Sequence, residues 1–393
     1  MVKILITGAN FHGKGAASML VSTSQMLKSL MPDAEIVVSS KNLEFDSTRG
    51  RKYGLRFFDS NLRHGIIFFS ALLRMLRELA KADLVVDLSG FSFTDHFRMF
   101  GLFGPPSFDI LLSKLLGRRV AMYSQAMGPF KSRWVRLSAR LFLQRANLIV
   151  VRGEITKDYL REIGIEKQVY VHADSAFLLQ PASAERVDEI MFNESFSKEE
   201  DALLVGISVN ARIYERCDPL GSENTYVALM AQITDYLAEK TGAKVVFIPY
   251  EISTRGYDDK SIAREIYEIV ENKRSIKLIE NEYSAEEAKA LIGNLDLFIG
   301  CRFHSVVAST SVLVPTIAIA WSHKYYETMK MLGQEKYVCH FREISLSHLT
   351  RLIEDMLKNR EQIKKDLKAR VKKAKHSALE SAKLIKNLLC PQD

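Results

Sequence analysis

A chain of 393 residues is too long for one ordinary hydrophobic core, so two domains of about 180 residues each are expected. With 47% hydrophobic and 26% charged residues, it reads as globular rather than disordered or fibrous. The basic runs behind the net charge of +8 read first as solvated helix faces, and otherwise suit phosphorylated substrates or an anionic membrane surface. Nucleic acid is the less favoured partner, because no aromatic-interleaved basic motif or helix-turn-helix signature occurs.

The first strand candidate, Lys3–Thr7, leaves no room ahead of it for a signal peptide. Strands are predicted next at Glu35–Ser39, Leu84–Leu88, Arg119–Ser124, Leu148–Val151 and Tyr170–His172. Helices are predicted at Ala16–Leu30, Gly65–Ala80, Phe108–Leu116, Ser132–Ala146 and Glu154–Ile163, the last stopped by Gly164. Periodicity fades in the polar stretch from Pro181 to Asp201, which reads as an interdomain connection. Apolar strands resume at Ala202–Val209, Lys244–Pro249, Ile276–Leu278, Leu297–Gly300 and Thr316–Trp321. The tail from Ser347 to Leu389 is helical and basic.

Short β-branched runs alternating with amphipathic stretches are the signature of parallel sheets covered by helices. The fold class expected is α/β, with two Rossmann-like domains facing across a cleft (a GT-B-like arrangement) and C-terminal helices returning to the first domain. The domains are read as residues 1–180 and 201–393. The apolar run Gly65–Leu73 is broken by Arg74 and Arg77, too short for a membrane span. Cys217, Cys301, Cys339 and Cys390 are scattered without metal-ligand or disulfide spacing, which fits a reducing cytoplasm. No clustered His, Asp and Glu motif indicates a metal site.

Ligands in such sheets bind beyond the carboxyl ends of the strands. In the second half, Leu297–Gly300 runs directly into Arg302, Phe303 and His304 at the start of a small-residue helix. Backbone N–H groups, the helix dipole and a guanidinium fork make that junction an anion site, or else an ordinary strand–helix turn with a satisfied arginine. Arg212, in SVNAR, follows another strand and is placed either to share that site or to pair with Glu215 or Asp218. Lys324, beyond the strand Thr316–Trp321, is placed either to hold an anionic group or to snorkel at a helix start. In the first half the loop GANFHGKG loosely echoes a phosphate-binding turn but carries neither the dinucleotide nor the Walker A fingerprint. Asp87, Asp95 and Asp174 either contact hydroxyls of a ligand or order loops.

The segment from Leu297 to Lys324 resembles the signature region of the polysaccharide pyruvyl transferases, which commonly read R-[LF]-H, a small-residue helix, Val-Pro, a strand and a Lys. Gly8, Asn10 and Gly13 follow the first strand as in that family, although Lys14 stands where many members carry an acid. Gln125, Gly128 and Pro129 match its GQGxGP element in the form SQAMGPF. Arg152 and Glu154 match its "R-[DE]" pair, with Thr156 in place of the usual Ser, and Asp174 matches its Asp before the linker.

The resemblance implies the GT-B-like fold, phosphoenolpyruvate as co-substrate with no further cofactor, and a pyruvate ketal installed on a sugar of a cell-surface polysaccharide or its lipid-linked precursor. It implies that the N-terminal domain holds the acceptor and the C-terminal domain the donor. His304 is then the candidate catalytic residue, since a side chain titrating near neutrality suits proton delivery and removal. Arg212, Arg302, Lys324, Asn10, Gln125 and Arg152 are candidate substrate-binding residues. A glycosyltransferase using a nucleotide-sugar and a non-catalytic glycan-binding relative are the alternatives. Peripheral membrane contact through the aromatic stretch holding Phe97, Phe100, Leu102 and Phe103, and assembly as a homo-oligomer, stay open.

Overall fold

The structure, a computed structural model, describes residues 1–61, 66–96, 107–196, 202–217, 224–251 and 257–390, with backbone only at 66–68. The aromatic stretch with Phe97, Phe100, Leu102 and Phe103 lies outside the described residues. The chain divides into two compact units. The first comprises Met1–His12, Ala16–Leu178 and Ala374–Asp393; the second comprises Gly13–Gly15 and Leu179–Lys373.

The sheet of the first unit holds β1 (Lys3–Thr7), β2 (Glu35–Ser40), β3 (Arg56–Asp59), β4 (Leu84–Asp87), β5 (Phe91–Ser92), β6 (Arg119–Met127), β7 (Leu148–Val151) and β8 (Val169–Val171). Their order is β3-β2-β1-β4-β6-β7-β8, with β5 pairing β6, and every pairing is parallel. Central strands such as KILIT and LIVV are buried along their whole length, because helices cover both faces. Met75, Leu79, Ile110, Val135, Phe142 and Leu160 from the covering helices pack on Leu5, Val85, Val120 and Ile149.

The last helix, Arg360–Leu389, contributes its final part to this first unit. Ser381 Oγ lies 2.6 Å from the Tyr123 hydroxyl, and Arg119 Nη1 donates to the Leu388 carbonyl at 2.7 Å.

The second unit carries β9 (Leu204–Ser208), β10 (Lys244–Phe247), β11 (Ile276–Leu278), β12 (Leu297–Gly300), β13 (Thr316–Ala320) and β14 (Val338–His340). The order is β11-β10-β9-β12-β13-β14, again all parallel. The stretch read as a connection from Pro181 to Asp201 forms the helix Ala184–Asn193. Ser183 caps it by accepting from the Arg186 amide, and Val187, Ile190 and Met191 pack against Leu291 and Ile292. Three apolar residues at helical spacing suffice to bury that face, although the flanking charges hide the period. Both units are thus doubly wound α/β sheets. Among the described residues no helix is long and apolar enough to cross a membrane, and no cluster of three or more His, Cys, Asp or Glu could hold a metal ion.

Candidate functional site

In the second unit β9 is flanked by β10 and β12, so successive connections leave it in opposite directions and open a crevice at its carboxyl end. Asn210, fully buried just past β9, ties this region together. Its side chain donates to the Cys301 carbonyl at 2.6 Å and accepts from the Arg212 amide at 2.8 Å. The Tyr325 hydroxyl donates to the same carbonyl at 2.8 Å, and the hydroxyls of Ser208 and Ser305 are 2.5 Å apart. This lattice fixes the path of Cys301–Phe303 into the helix Phe303–Ser311.

Arg302 caps that helix through its backbone position, while its side chain turns to carboxylates. Nε lies 3.0 Å from both oxygens of Asp259, Nη2 donates to Asp259 Oδ1 at 2.5 Å, and Nη1 meets Glu251. Asp259 is buried and also accepts from the amides of Tyr250 and Glu251, at 3.1 and 2.8 Å. Burial works against the charge on Arg302, yet Asp259 and Glu251 outweigh it and hold the proton more tightly than on a free arginine. The guanidinium is therefore not an open anion fork. It is anchored by a buried aspartate, with the half-exposed Glu251 as its outer partner.

His304 follows at the first turn of the helix. Gly13–Gly15 group with this unit: Gly13 bridges Glu251, and the Lys14 amide donates to the Tyr250 carbonyl at 3.1 Å. Gly15 abuts the imidazole so closely that a β-carbon there would lie 2.3 Å from His304 Nδ1. Burial lowers the Lys14 ammonium to about 8, with Glu282, Asp259 and Glu287 opposing the shift. The loop expected to lie wholly on the acceptor side is thus divided: Gly8–His12 belong to the first unit and Gly13–Gly15 to the second.

Lys324, buried at the start of the helix His323–Met331, points its ammonium into aromatic rings. Nζ is 4.8 Å from the Trp321 ring centre and 5.3 Å from that of Phe303. Phe303 thereby joins Lys324 to the Arg302–His304 turn. Arg216 packs on Trp321 at 5.1 Å. Burial and then the charges of Arg212 and Arg342 lower its affinity for its proton, so four cations gather near the carboxyl end of β13. Arg212 itself is exposed and pairs with Glu215 at 3.5 Å. Sequence reasoning did not find Arg216, Trp321 or Arg342; only the recurrence of cations beyond strand ends hinted at them. At the same helix start Ser322 Oγ is buried and has no hydrogen-bond partner among the described residues.

In the first unit the loops after β1, β2, β3 and β4 surround a cavity of about 510 Å³. Asn10 and His12, Lys41 and Asn42, Asn61, Ser89 and Asp109 are among its lining. Gly8 has φ +78°, and a β-carbon there would strike Ser89 Oγ at 2.3 Å, so only glycine lets the first turn approach β4. Asn10 Oδ1 accepts from the His12 amide at 3.0 Å, and the His12 ring stacks on Phe45 at 4.1 Å.

Asp87 ends β4 beneath this cavity. Burial pushes its carboxyl up to about 7, and Asp109, itself raised to about 6 by burial, adds to the shift. Gln125 is fully buried and donates to Asp87 Oδ1 at 2.7 Å while accepting from Ser92 Oγ at 3.0 Å. It positions Asp87 and does not line the cavity. Arg152 is 1% exposed, and its Nε lies 2.7 Å from Asp174 Oδ2. The pair pins the end of β7 to the loop after β8, in the interior of the unit. Asp95 orders a loop, accepting from the Ser132 amide at 2.9 Å at the head of the helix Arg133–Leu143.

Comparison with known proteins agrees with this architecture. The family model described as polysaccharide pyruvyl transferase matches residues 14–323. The amylovoran biosynthesis protein AmsJ of Erwinia amylovora is 24% identical over 359 residues, covering 88% of this chain and 84% of that protein. Among solved structures, the UDP-GlcNAc 2-epimerase of Neisseria meningitidis superposes with a TM-score of 0.68 at 11% identity, covering 100% of both chains. Anabaena HepE, solved with UDP and glucose, gives 0.62 at 10% identity, again covering 100% of both. At such identities these structures bear on the fold alone, which is GT-B-like. The family match spans most of the chain and includes the Arg302–His304 turn, so this protein is a transferase and belongs to the polysaccharide pyruvyl transferase family.

Proposed function

We propose that this enzyme transfers the pyruvyl group of phosphoenolpyruvate to two hydroxyls of one sugar in a cell-surface polysaccharide or its precursor, in the cytoplasm. The observation that carries this reading is that one helix start holds the anchored Arg302, then Phe303, over whose ring Lys324 sits, then His304. In the reaction a proton adds to the methylene carbon, and a sugar hydroxyl adds to the neighbouring carbon and loses its own proton. The C–O bond to phosphate then breaks, and a second hydroxyl closes the ketal. Phosphoenolpyruvate plus a diol gives ketal plus inorganic phosphate.

His304 delivers the first proton and takes one from an incoming hydroxyl. Lys324 and Arg216 balance the phosphate, next to the amides and Ser322 hydroxyl at the start of the helix His323–Met331. The donor carboxylate replaces Glu251 on Arg302, whose geometry Asp259 keeps fixed. The cavity of the first unit, lined by amides, hydroxyls and Asp109, suits a polyhydroxylated acceptor. The relative AmsJ, named for amylovoran biosynthesis, supports a polysaccharide context.

The competing reading is a glycosyltransferase using a nucleotide-sugar, favoured by the likeness to HepE, which was solved with UDP and glucose. Incubation with phosphoenolpyruvate or with UDP-sugars, against a panel of free and lipid-linked glycans, separates the two. Phosphate release that needs both phosphoenolpyruvate and a glycan supports pyruvyl transfer. UDP release without use of phosphoenolpyruvate overturns it.

A further inference from the structure

The helix Arg133–Leu143 has two unlike faces. Val135, Ala139, Phe142 and Leu143 are buried in the core of the first unit. The outer face carries Arg133, Arg136 and Arg140 on one side and Trp134 and Leu137, which remain 49% and 48% exposed, on the other. From Lys131 to Arg145 there are five cations and no carboxylate. The neighbouring helix Ser107–Leu115, tied on by the contact of Ser107 Oγ with Ser138 Oγ at 3.1 Å, exposes Leu115.

We infer that this face docks the protein reversibly on an anionic lipid bilayer. Trp134 and Leu137 enter the headgroup boundary, while Lys131, Arg133 and Arg140 lie over the lipid charges. Tryptophan prefers that boundary because its ring is apolar and its N–H is polar, and flanking arginines add attraction to acidic headgroups. The charge pattern selects this occupant. A second copy docking by two-fold symmetry would set five cations against the same five. A nucleic-acid duplex would leave Trp134 and Leu137 against water or phosphate. The inference is independent of which donor the enzyme uses.

Co-sedimentation with phosphatidylcholine vesicles, with and without about 30% phosphatidylserine, tests it at low and high salt. The wild type is expected to bind the anionic vesicles at low salt only. K131Q/R133Q/R140Q should weaken binding by about 100-fold, roughly fivefold per cation. W134A/L137A should weaken it at least about tenfold. Both variants should keep the wild-type unfolding temperature, since the altered side chains are exposed. The inference is overturned if the wild type ignores anionic vesicles at low salt or binds neutral ones equally. It is also overturned if either variant binds like wild type, or if W134A/L137A splits a wild-type dimer.

Discussion

Gly15→Ala probes the candidate site without touching a functional group. Gly15 is the second residue of the helix Lys14–Leu30, where alanine would ordinarily stabilise by about 1 kcal/mol. Here the added carbon would fall 2.3 Å from His304 Nδ1, 2.7 Å from Cγ and 2.9 Å from Cβ. Normal contact needs about 3.5 Å, so the imidazole must retreat by roughly 1 Å. A shift of that size is enough to cost about 100-fold in a reaction that depends on alignment. The helix gain offsets much of the strain, so Gly15→Ala should unfold within a few degrees of wild type while pyruvyl transfer falls about 100-fold. Removing the whole side chain should remove the conflict: Gly15→Ala made in a His304→Gly background should raise stability by about 1 kcal/mol. Thermal unfolding and initial rates of phosphate release measure both halves. Unchanged kcat/KM with a raised Tm in the single variant would refute the close approach of Gly15 and His304 in the working enzyme.

Three further outcomes are expected. Arg302→Ala strands the buried Asp259 carboxylate and should destabilise by about 3–5 kcal/mol in denaturant titration, whereas a loss under 1 kcal/mol would deny the anchoring role. Asp87 titrates near 7 when folded against 3.8 when free, so the folded state holds the extra proton between those values and stability falls as pH rises across that window. Asp87→Asn, which can keep the contacts with Gln125 and Ser89, should stabilise by up to about 4 kcal/mol at pH 8 and little at pH 4; equal gains at both pH values would contradict the assignment. Lys324→Met should weaken phosphoenolpyruvate binding by at least about tenfold, while the exposed Arg212→Ala should change it less than about threefold. Calorimetry that reverses that ranking would move the donor site toward Arg212.

The strands buried on both faces were legible, since a run such as LIVV at Leu148–Val151 has no other comfortable place. β3 was not legible: Arg56 and Asp59 sit on an edge strand, where exposure permits charge and erases the apolar signal. The helix Ala184–Asn193 was hidden for the related reason that only Val187, Ile190 and Met191 face the core. At the site, the positions of Arg302, His304 and Lys324 beyond strand ends followed from the strands themselves. Their partners did not. Asp259 reaches Arg302 from 43 residues away, and Trp321 gathers Arg216 and Lys324 only once β9 and β13 flank β12. Arg152 and Gln125 matched family positions, yet whether a matching residue faces ligand or interior depends on packing that sequence order does not encode.

The central claim is that pyruvate, not a glycosyl group, is transferred. The most direct measurement follows phosphoenolpyruvate labelled with ¹³C at its methylene carbon by NMR, in D₂O, with enzyme and a glycan acceptor. The account expects the methylene signal to give way to a ketal methyl carrying one deuterium, with one phosphate released per ketal and no such signal with His304→Ala. An unchanged methylene signal beside glycosyl transfer from a UDP-sugar, or a His304→Ala variant as fast as wild type, would contradict it.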